Sequence, residues 1–198
     1  MTIKRYYTGV GSRETPVKIK QQMGYMACEL ARNGYILRSG GADGADMAFQ
    51  KGCDIGNTRA KEIYIPWASY GPTDDVLEMG IIVPKMGKKL MGILKNIHPN
   101  YENLSVQAKK LHGRNIFQVI GYHKPRVYSS FLLCWTPDGA ESADQCSIKT
   151  GGTATAIRMA SKLKIPIFNF KNEDSMHKAH LLVRLIQARC PKCSKRKN

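Results

Sequence analysis

Apolar positions recur along this chain in two alternating rhythms. Short runs rich in aromatic and β-branched residues read as strands over Lys4 to Gly9, Tyr35 to Arg38, Glu62 to Pro66, Ser129 to Trp135 and Ile165 to Phe170. Between them lie stretches with a helical period. The first runs from about Pro16 to Asn33, with Ile19, Met23, Met26 and Leu30 on one face and Asn33-Gly34 as its stop. Further helices are predicted from about Asp43 to Gly52, and from Ser105, a candidate N-cap, to Gly121 with Val106, Leu111, Phe117 and Ile120 apolar. Two more start at Gly151-Gly152, ending before Ile165, and at about Ser175, ending at Ala188. Strands alternating with helices at this spacing predict parallel βαβ units. The expected fold class is α/β: a Rossmann-like, doubly wound, mainly parallel five-stranded sheet with helices on both faces.

The rhythm breaks between residues 67 and 103, where Pro, Gly, Asp and Lys surround two short apolar pieces. That is too long for an ordinary connection in a compact domain. It is expected to be an insertion or flap at the sheet edge after the third strand. The nucleotide-binding domain is expected over residues 1–174, followed by a C-terminal helix and basic tail at 175–198.

Three strand ends run into loops of glycine and small hydroxyl residues, each preceding a helix. They are Gly9-Val10-Gly11-Ser12-Arg13, then Ser39-Gly40-Gly41-Ala42-Asp43-Gly44-Ala45-Asp46, and Thr136-Pro137-Asp138-Gly139 continuing to Thr150-Gly151-Gly152-Thr153. Glycine allows sharp turns and close approach of backbone to a ligand, and the free N–H groups that open a helix attract anions. In a doubly wound sheet the ligand sits at the strand carboxyl ends where strand order reverses, here expected between the first and fourth strands. The three loops together predict a phosphate-binding cleft, against the plainer reading of structural turns. A dinucleotide fingerprint would carry Gly or Ala where Glu14 stands, and an NAD site would end the second strand in an acid rather than Arg38, so an NAD enzyme is disfavoured.

Charge sharpens the choice of ligand. The 198 residues carry 31 Lys+Arg against 15 Asp+Glu, a formal charge of +16. Such an excess favours polyanions, nucleic acid and nucleotides among them. No apolar run approaches the roughly 18 residues of a membrane span, and the N-terminus lacks a signal-peptide pattern, so a cytoplasmic protein with no membrane partner is expected. Six scattered cysteines in a chain of this size need no disulfide framework. Cys190-Pro191-Lys192-Cys193 has the spacing of half a zinc site, and His177 and His180 lie upstream. A helix from Ser175 to Ala188 would hold His180 and Cys190 about 15 Å apart, too far for one zinc. A frayed thiol tail is preferred for Cys190 and Cys193 over a metal site completed by another chain, and no cofactor is required.

The combination of Gly11-Ser12-Arg13, Ser39 to Asp46 and a Gly-Gly-Thr helix start resembles the superfamily that joins DprA (Smf) with the LOG phosphoribohydrolases, the SLOG superfamily. The chain is most similar to the compact DprA-like Rossmann proteins of bacteriophage and mobile elements, over roughly Lys4 to Phe170. The resemblance implies a nucleotide-type ligand and a self-associating protein. Leu111-His112-Gly113-Arg114-Asn115 is similar to the LOG arginine motif, making Arg114 the matching, candidate catalytic residue. In the LOG glycine motif a glutamate closes Pro-Gly-Gly-x-Gly-Thr-x-x-Glu, and Arg158 stands at that position here. LOG-type cleavage of base from nucleotide would then need a carboxylate from Glu14, Asp46, Asp138, Glu141 or Asp144.

The leading expectation is a protein that binds a nucleotide, or the phosphates of single-stranded DNA. Its candidate site holds Gly11, Ser12, Arg13, Ser39, Gly40, Gly41, Asp46, Asn115, Thr136, Gly151, Gly152 and Thr153, with Arg114 and Arg158 as phosphate clamps. Tyr6, Trp67 and Tyr70 are candidate base-stacking residues, Trp67 and Tyr70 the better ones, whereas Tyr7 and Trp135 lie in strands and read as core. Asp43 reads as a helix cap, Asp46 as either cap or ribose ligand, and His112 as either helix surface or acid. The alternatives are a nucleotide N-glycosidase and a sensor or sequestering protein for a nucleotide-derived signal.

Overall fold

Along the central strands successive side chains alternate between two faces, and both faces are buried. The computed structural model describes residues 4–70, 81–123 and 125–189. In chain order its regular elements are β1 (Arg5–Gly11), α1 (Val17–Arg32), β2 (Tyr35–Ser39), α2 (Ala45–Asn57), β3 (Lys61–Tyr64), β4 (Ile81–Ile82), α3 (Lys88–Ile97), α4 (Val106–Ile120), β5 (Leu132–Trp135), α5 (Ala154–Lys162), β6 (Ile167–Asn169) and α6 (Glu173–Ala188). The sheet order is β4-β3-β2-β1-β5-β6, and every described pairing is parallel. Tyr7, Leu37, Leu133 and Trp135 face a core shared with α1, α2 and α6. Val10, Leu132 and Cys134 face a second core under α3, α4 and α5.

The strand–helix alternation therefore produces the expected parallel α/β fold, with one correction: among the described residues the sheet has six strands, not five. The extra strand is Ile81–Ile82, which pairs with Ile63 and Tyr64. It lies inside the 67–103 segment, whose described residues join both the sheet, through Ile81–Ile82, and the second core, through α3. Leu90 and Leu94, one helical turn apart on α3, are buried in the second core beside α4. A two-residue strand leaves no period to read, whereas α3 does carry a helical stripe, Leu90, Ile93, Leu94 and Ile97, which the surrounding Gly and Lys residues obscure. Residues 71–80 and the tail with Cys190, Cys193 and the Lys195 to Lys197 run lie outside the described residues.

Two helix starts also differ from the sequence reading. The segment Ile148–Thr153 is a 3-10 turn interrupted at Gly151, whose φ of 61° suits glycine, and α5 begins only after it. Asp43 does not cap α2; Gly44 holds that position without a side-chain bond. Ser105 does cap α4, accepting from the Ala108 N–H at 3.2 Å. No helix among the described residues is long and apolar enough to cross a membrane.

Helices α1 and α2 pack at glycines, and a Cβ at Gly52 would collide with the Gly24 backbone carbonyl. Replacing Gly52 by Ala must push the helices apart, costing about 2 kcal/mol, or a Tm lower by about 4–8 °C. Gly92 in α3 faces open space, so Gly92→Ala adds about 0.5–1 kcal/mol through helix propensity. Thermal unfolding of the two variants checks this packing: equal effects would contradict it.

Candidate functional site: a cleft at the strand carboxyl ends

Sheet order reverses between β1 and β5, and a cleft of about 400 Å³ opens there. Gly11, Ser12, Arg13 and Glu14 form one wall after β1. Ala42 and Asp46 come from the β2–α2 connection, and Tyr70 from the segment after β3. Leu111, His112, Arg114, Asn115 and Gln118 line it from α4, and Lys149 to Thr153 from the turn before α5.

Arg114 dominates the cleft. Its side chain is only 8% exposed, and its ion-pair partner is Asp46, with Nη1 3.7 Å from Oδ2. That separation is too long for a hydrogen bond. With its amide turned so that the oxygen faces the donors, Gln118 accepts from the Arg114 guanidinium and, at 3.0 Å, from the Gly40 N–H, and it donates to Asn115 Oδ1 at 3.3 Å. The Arg114 Nε is buried with no partner. The guanidinium carbon lies 5.7 Å from the centre of the Tyr70 ring. Gly40 is glycine for a direct reason: a Cβ there would occupy the space of the Arg114 guanidinium.

Asp46 is buried, and burial pushes its carboxyl up to about 6. Arg114 and the N–H groups of Ala42, Gly11 and Gly40 oppose the rise without cancelling it. His112 is moved the other way. Burial, with His98, Arg114 and Arg158 nearby, lowers it to about 4, so at pH 7 it is neutral. Its Nδ1 lies 2.7 Å from Thr155 Oγ1 on α5, and the ring sits 4.4 Å from His98.

The glycine turn is held from both sides. Asn115 Nδ2 donates to the Gly152 carbonyl at 2.8 Å. On the other side, Asp138 accepts from the Ser147 hydroxyl at 2.6 Å and from Thr150 Oγ1. Burial would raise the Asp138 carboxyl, but hydrogen bonds from Ser147, Thr150 and Thr136 outweigh it and hold it well below the usual carboxylate range. The turn therefore presents Gly151 and Gly152 to solvent at the mouth of the cleft while its base is fixed.

Of the candidates from sequence, the cleft wall brings together Gly11, Ser12, Arg13, Asp46, Arg114, Asn115, Gly151, Gly152 and Thr153. Others lie elsewhere. Ser39 is fully buried, Gly40 passes behind Arg114, and Gly41 lies buried beside Ile63 and Ile65. Thr136 is fully buried as well, its hydroxyl accepting from Asn169 at 2.7 Å, which ties β5 to β6. Arg158 lies on α5, off the wall. Tyr6, Tyr7 and Trp135 are core, and Trp67 meets Tyr70 edge to face at 5.5 Å. Of the candidate carboxylates, Glu14 and Asp46 reach the cleft, whereas Asp138 and Glu141 hold loops, the latter accepting from the Asn169 N–H at 2.7 Å. Lys149 and Gln118 were not anticipated. The signal for Gln118 was its place on the stripe Leu111, Arg114, Asn115, Gln118, with helical spacing of three, four and seven residues.

Fold and cleft together define a parallel α/β protein with a basic, partly buried cleft at the switch point of its sheet. Its fold is similar to that of DNA processing protein A from Helicobacter pylori, a protein with its own single-stranded DNA binding mode. The TM-score is 0.53 at 19% identity, and the match covers 83% of this chain and 64% of that one. The fold is thus DprA-like. The sequence matches no protein-family model and no curated protein.

The Asp46 geometry has a pH signature. A folded carboxyl near 6, against an ordinary 3.8, contributes stability below about pH 4 that is lost as pH rises through 6. The Tm of Asp46→Asn relative to the parent should therefore rise between pH 4 and pH 8 by about 4–8 °C, on the order of 2 kcal/mol. A difference independent of pH, measured by calorimetry, would contradict the burial of this charge.

Proposed function

We propose that the cleft binds the phosphate of a nucleotide unit, carried by single-stranded DNA or by a nucleotide-type small molecule. The observation that carries this reading is the Arg114 guanidinium: buried on the cleft wall, loosely paired, and left with an unsatisfied Nε. An unmet buried donor costs about 1–3 kcal/mol, and a phosphate oxygen is the natural acceptor for it. The N–H groups of the Gly151-Gly152-Thr153 turn at the start of α5 add to the attraction. Tyr70, beside Arg114, offers a ring against which a base can stack. The charge of +16 and a fold shared with a protein that binds single-stranded DNA both favour DNA as the source of the phosphate.

A second reading rests on one observation. Although Arg158 occupies the position of the LOG glutamate, Asp46 and Glu14 line the cleft beside Arg114. A carboxylate is therefore within the site to stabilise a sugar cation, as a nucleotide N-glycosidase requires. Incubation with nucleoside monophosphates and chromatography for free base separates the two: binding alone releases none, and release abolished by Asp46→Asn would establish the enzyme.

Fluorescence anisotropy with labelled oligothymidylate and with mononucleotides, across a salt series, tests the leading reading. Arg114→Ala should weaken binding about tenfold to a hundredfold, the worth of a hydrogen bond to a charged group. Gly40→Ala should act in the same direction, because its methyl group displaces the guanidinium without removing it. Absence of saturable binding at low salt, or binding unaffected by Arg114→Ala, would overturn the proposal.

A further inference from the structure

A second cationic hollow, of about 600 Å³, lies around α4 from the cleft. The cleft uses Arg114 and Gln118 of that helix, whereas the hollow uses Phe117, about 100° further round. Lys85 and Lys89 enter it from the start of α3, and His123 and Arg126 from the segment after α4. Phe117 and Tyr122 form its aromatic floor, their rings 5.2 Å apart and near perpendicular. Lys85, Lys89 and Arg126 are exposed, and no carboxylate lines the hollow. Among the described residues none of these three is in an ion pair.

The start of α3 makes this arrangement unusual. Helices favour acidic residues in the first turn, where the dipole is positive. Here the first turn holds Lys88 and Lys89, contains no acid, and has no side-chain cap on Gly87. Positive side chains have been placed on a positive helix end, an arrangement that becomes favourable when an anion is bound between them. The Arg126 guanidinium stands 5.9 Å from the Phe117 ring, which ties the cationic rim to the aromatic floor. Phe117 is buried and Tyr122 half-buried, so Tyr122 is the ring a base can reach. Phosphate-neutralising cations beside an accessible ring are the requirements of a strand whose bases are unstacked, since in a duplex the base faces are hidden.

We infer that this hollow is a second contact for single-stranded nucleic acid, which leaves the cleft, crosses the Met86 to Met91 segment that covers α4 at Gly113, and lays its backbone among Lys85, Lys89 and Arg126, with a base against Tyr122. The inference rests on the cleft reading above and deepens it: the occupant is a strand of several nucleotides rather than a free nucleotide. The two hollows share α4 as a wall, so they lie on the order of a helix diameter apart. That is ~10 Å, at most about three nucleotides at the stacked spacing of 3.4 Å and fewer for an extended, unstacked strand.

The test is a length series of oligothymidylates and a mononucleotide, measured with the parent protein, with Arg114→Ala, and with the combined variant Lys85→Ala, Lys89→Ala, Arg126→Ala. The three exposed residues leave the core intact, which unfolding curves verify. In the parent, affinity should climb with length beyond about four nucleotides. The triple variant should bind the mononucleotide and the shortest oligomers as the parent does, yet lose roughly a hundredfold for a 15-mer at 0.1 M salt, with the log–log salt slope shallower by about 2. A 15-mer bound by the triple variant with parental affinity and slope would overturn the second contact and leave the cleft reading standing. Duplex bound as tightly as single strand, with the same loss in the triple variant, would also overturn it. No binding of any oligomer or mononucleotide by the parent would overturn the cleft reading itself.

Discussion

A guanidinium withdrawn from water has to be surrounded by acceptors, and the cleft is organised by how incompletely this is done for Arg114. Asp46 stands 3.7 Å away, close enough to attract but too far to bond, and Gln118 supplies a neutral acceptor. Gly40 leaves the space that the group fills. Three positions, on α2, on α4 and in the β2–α2 connection, therefore answer to one side chain. The same geometry explains the carboxyl: Asp46 is buried more completely than its partner compensates, so it is pushed up to about 6. A ligand phosphate would complete the shell that the protein leaves open.

The surrounding fold fixes where that ligand would meet the backbone. Asp138 and Asn115 grip the turn between Ser147 and Gly152 from opposite sides. Neutral His112 bonds α4 to α5 through Thr155 without adding charge to the cleft. The cleft's fixed positive charge thus comes from Arg114, with Arg13 and Lys149 at its mouth, a distribution suited to an anion that enters from solvent with part of its length still outside.

Much of this was legible in the sequence. The strand and helix periods predicted a parallel sheet, and the glycine loops after β1 and before α5 do meet at its switch point. What escaped was set by tertiary contact. Ile81–Ile82 is a strand only because β3 offers an edge, whereas α3 was legible from its stripe Leu90, Ile93, Leu94 and Ile97, of which Leu90 and Leu94 pack in the core with α4. Thr136 carries the composition of a ligand loop but satisfies Asn169, and Ser39 is covered completely. Gln118 gave no chemical hint; only its helical phase relative to Arg114 marked it. The glycine at position 40 was legible as a loop residue, whereas its purpose, room for a guanidinium from 74 residues later in the chain, was not.

The claim on which the account turns is that Arg114 meets a phosphate in the cleft, and a crystal structure of the protein with a short 5′-phosphorylated oligothymidylate tests it most directly. The account predicts a phosphate oxygen about 2.7–3.0 Å from the Arg114 guanidinium, beside the Gly152 and Thr153 amides. A strand bound wholly elsewhere, with Arg114 still resting on Asp46 and the cleft filled by water, would contradict it.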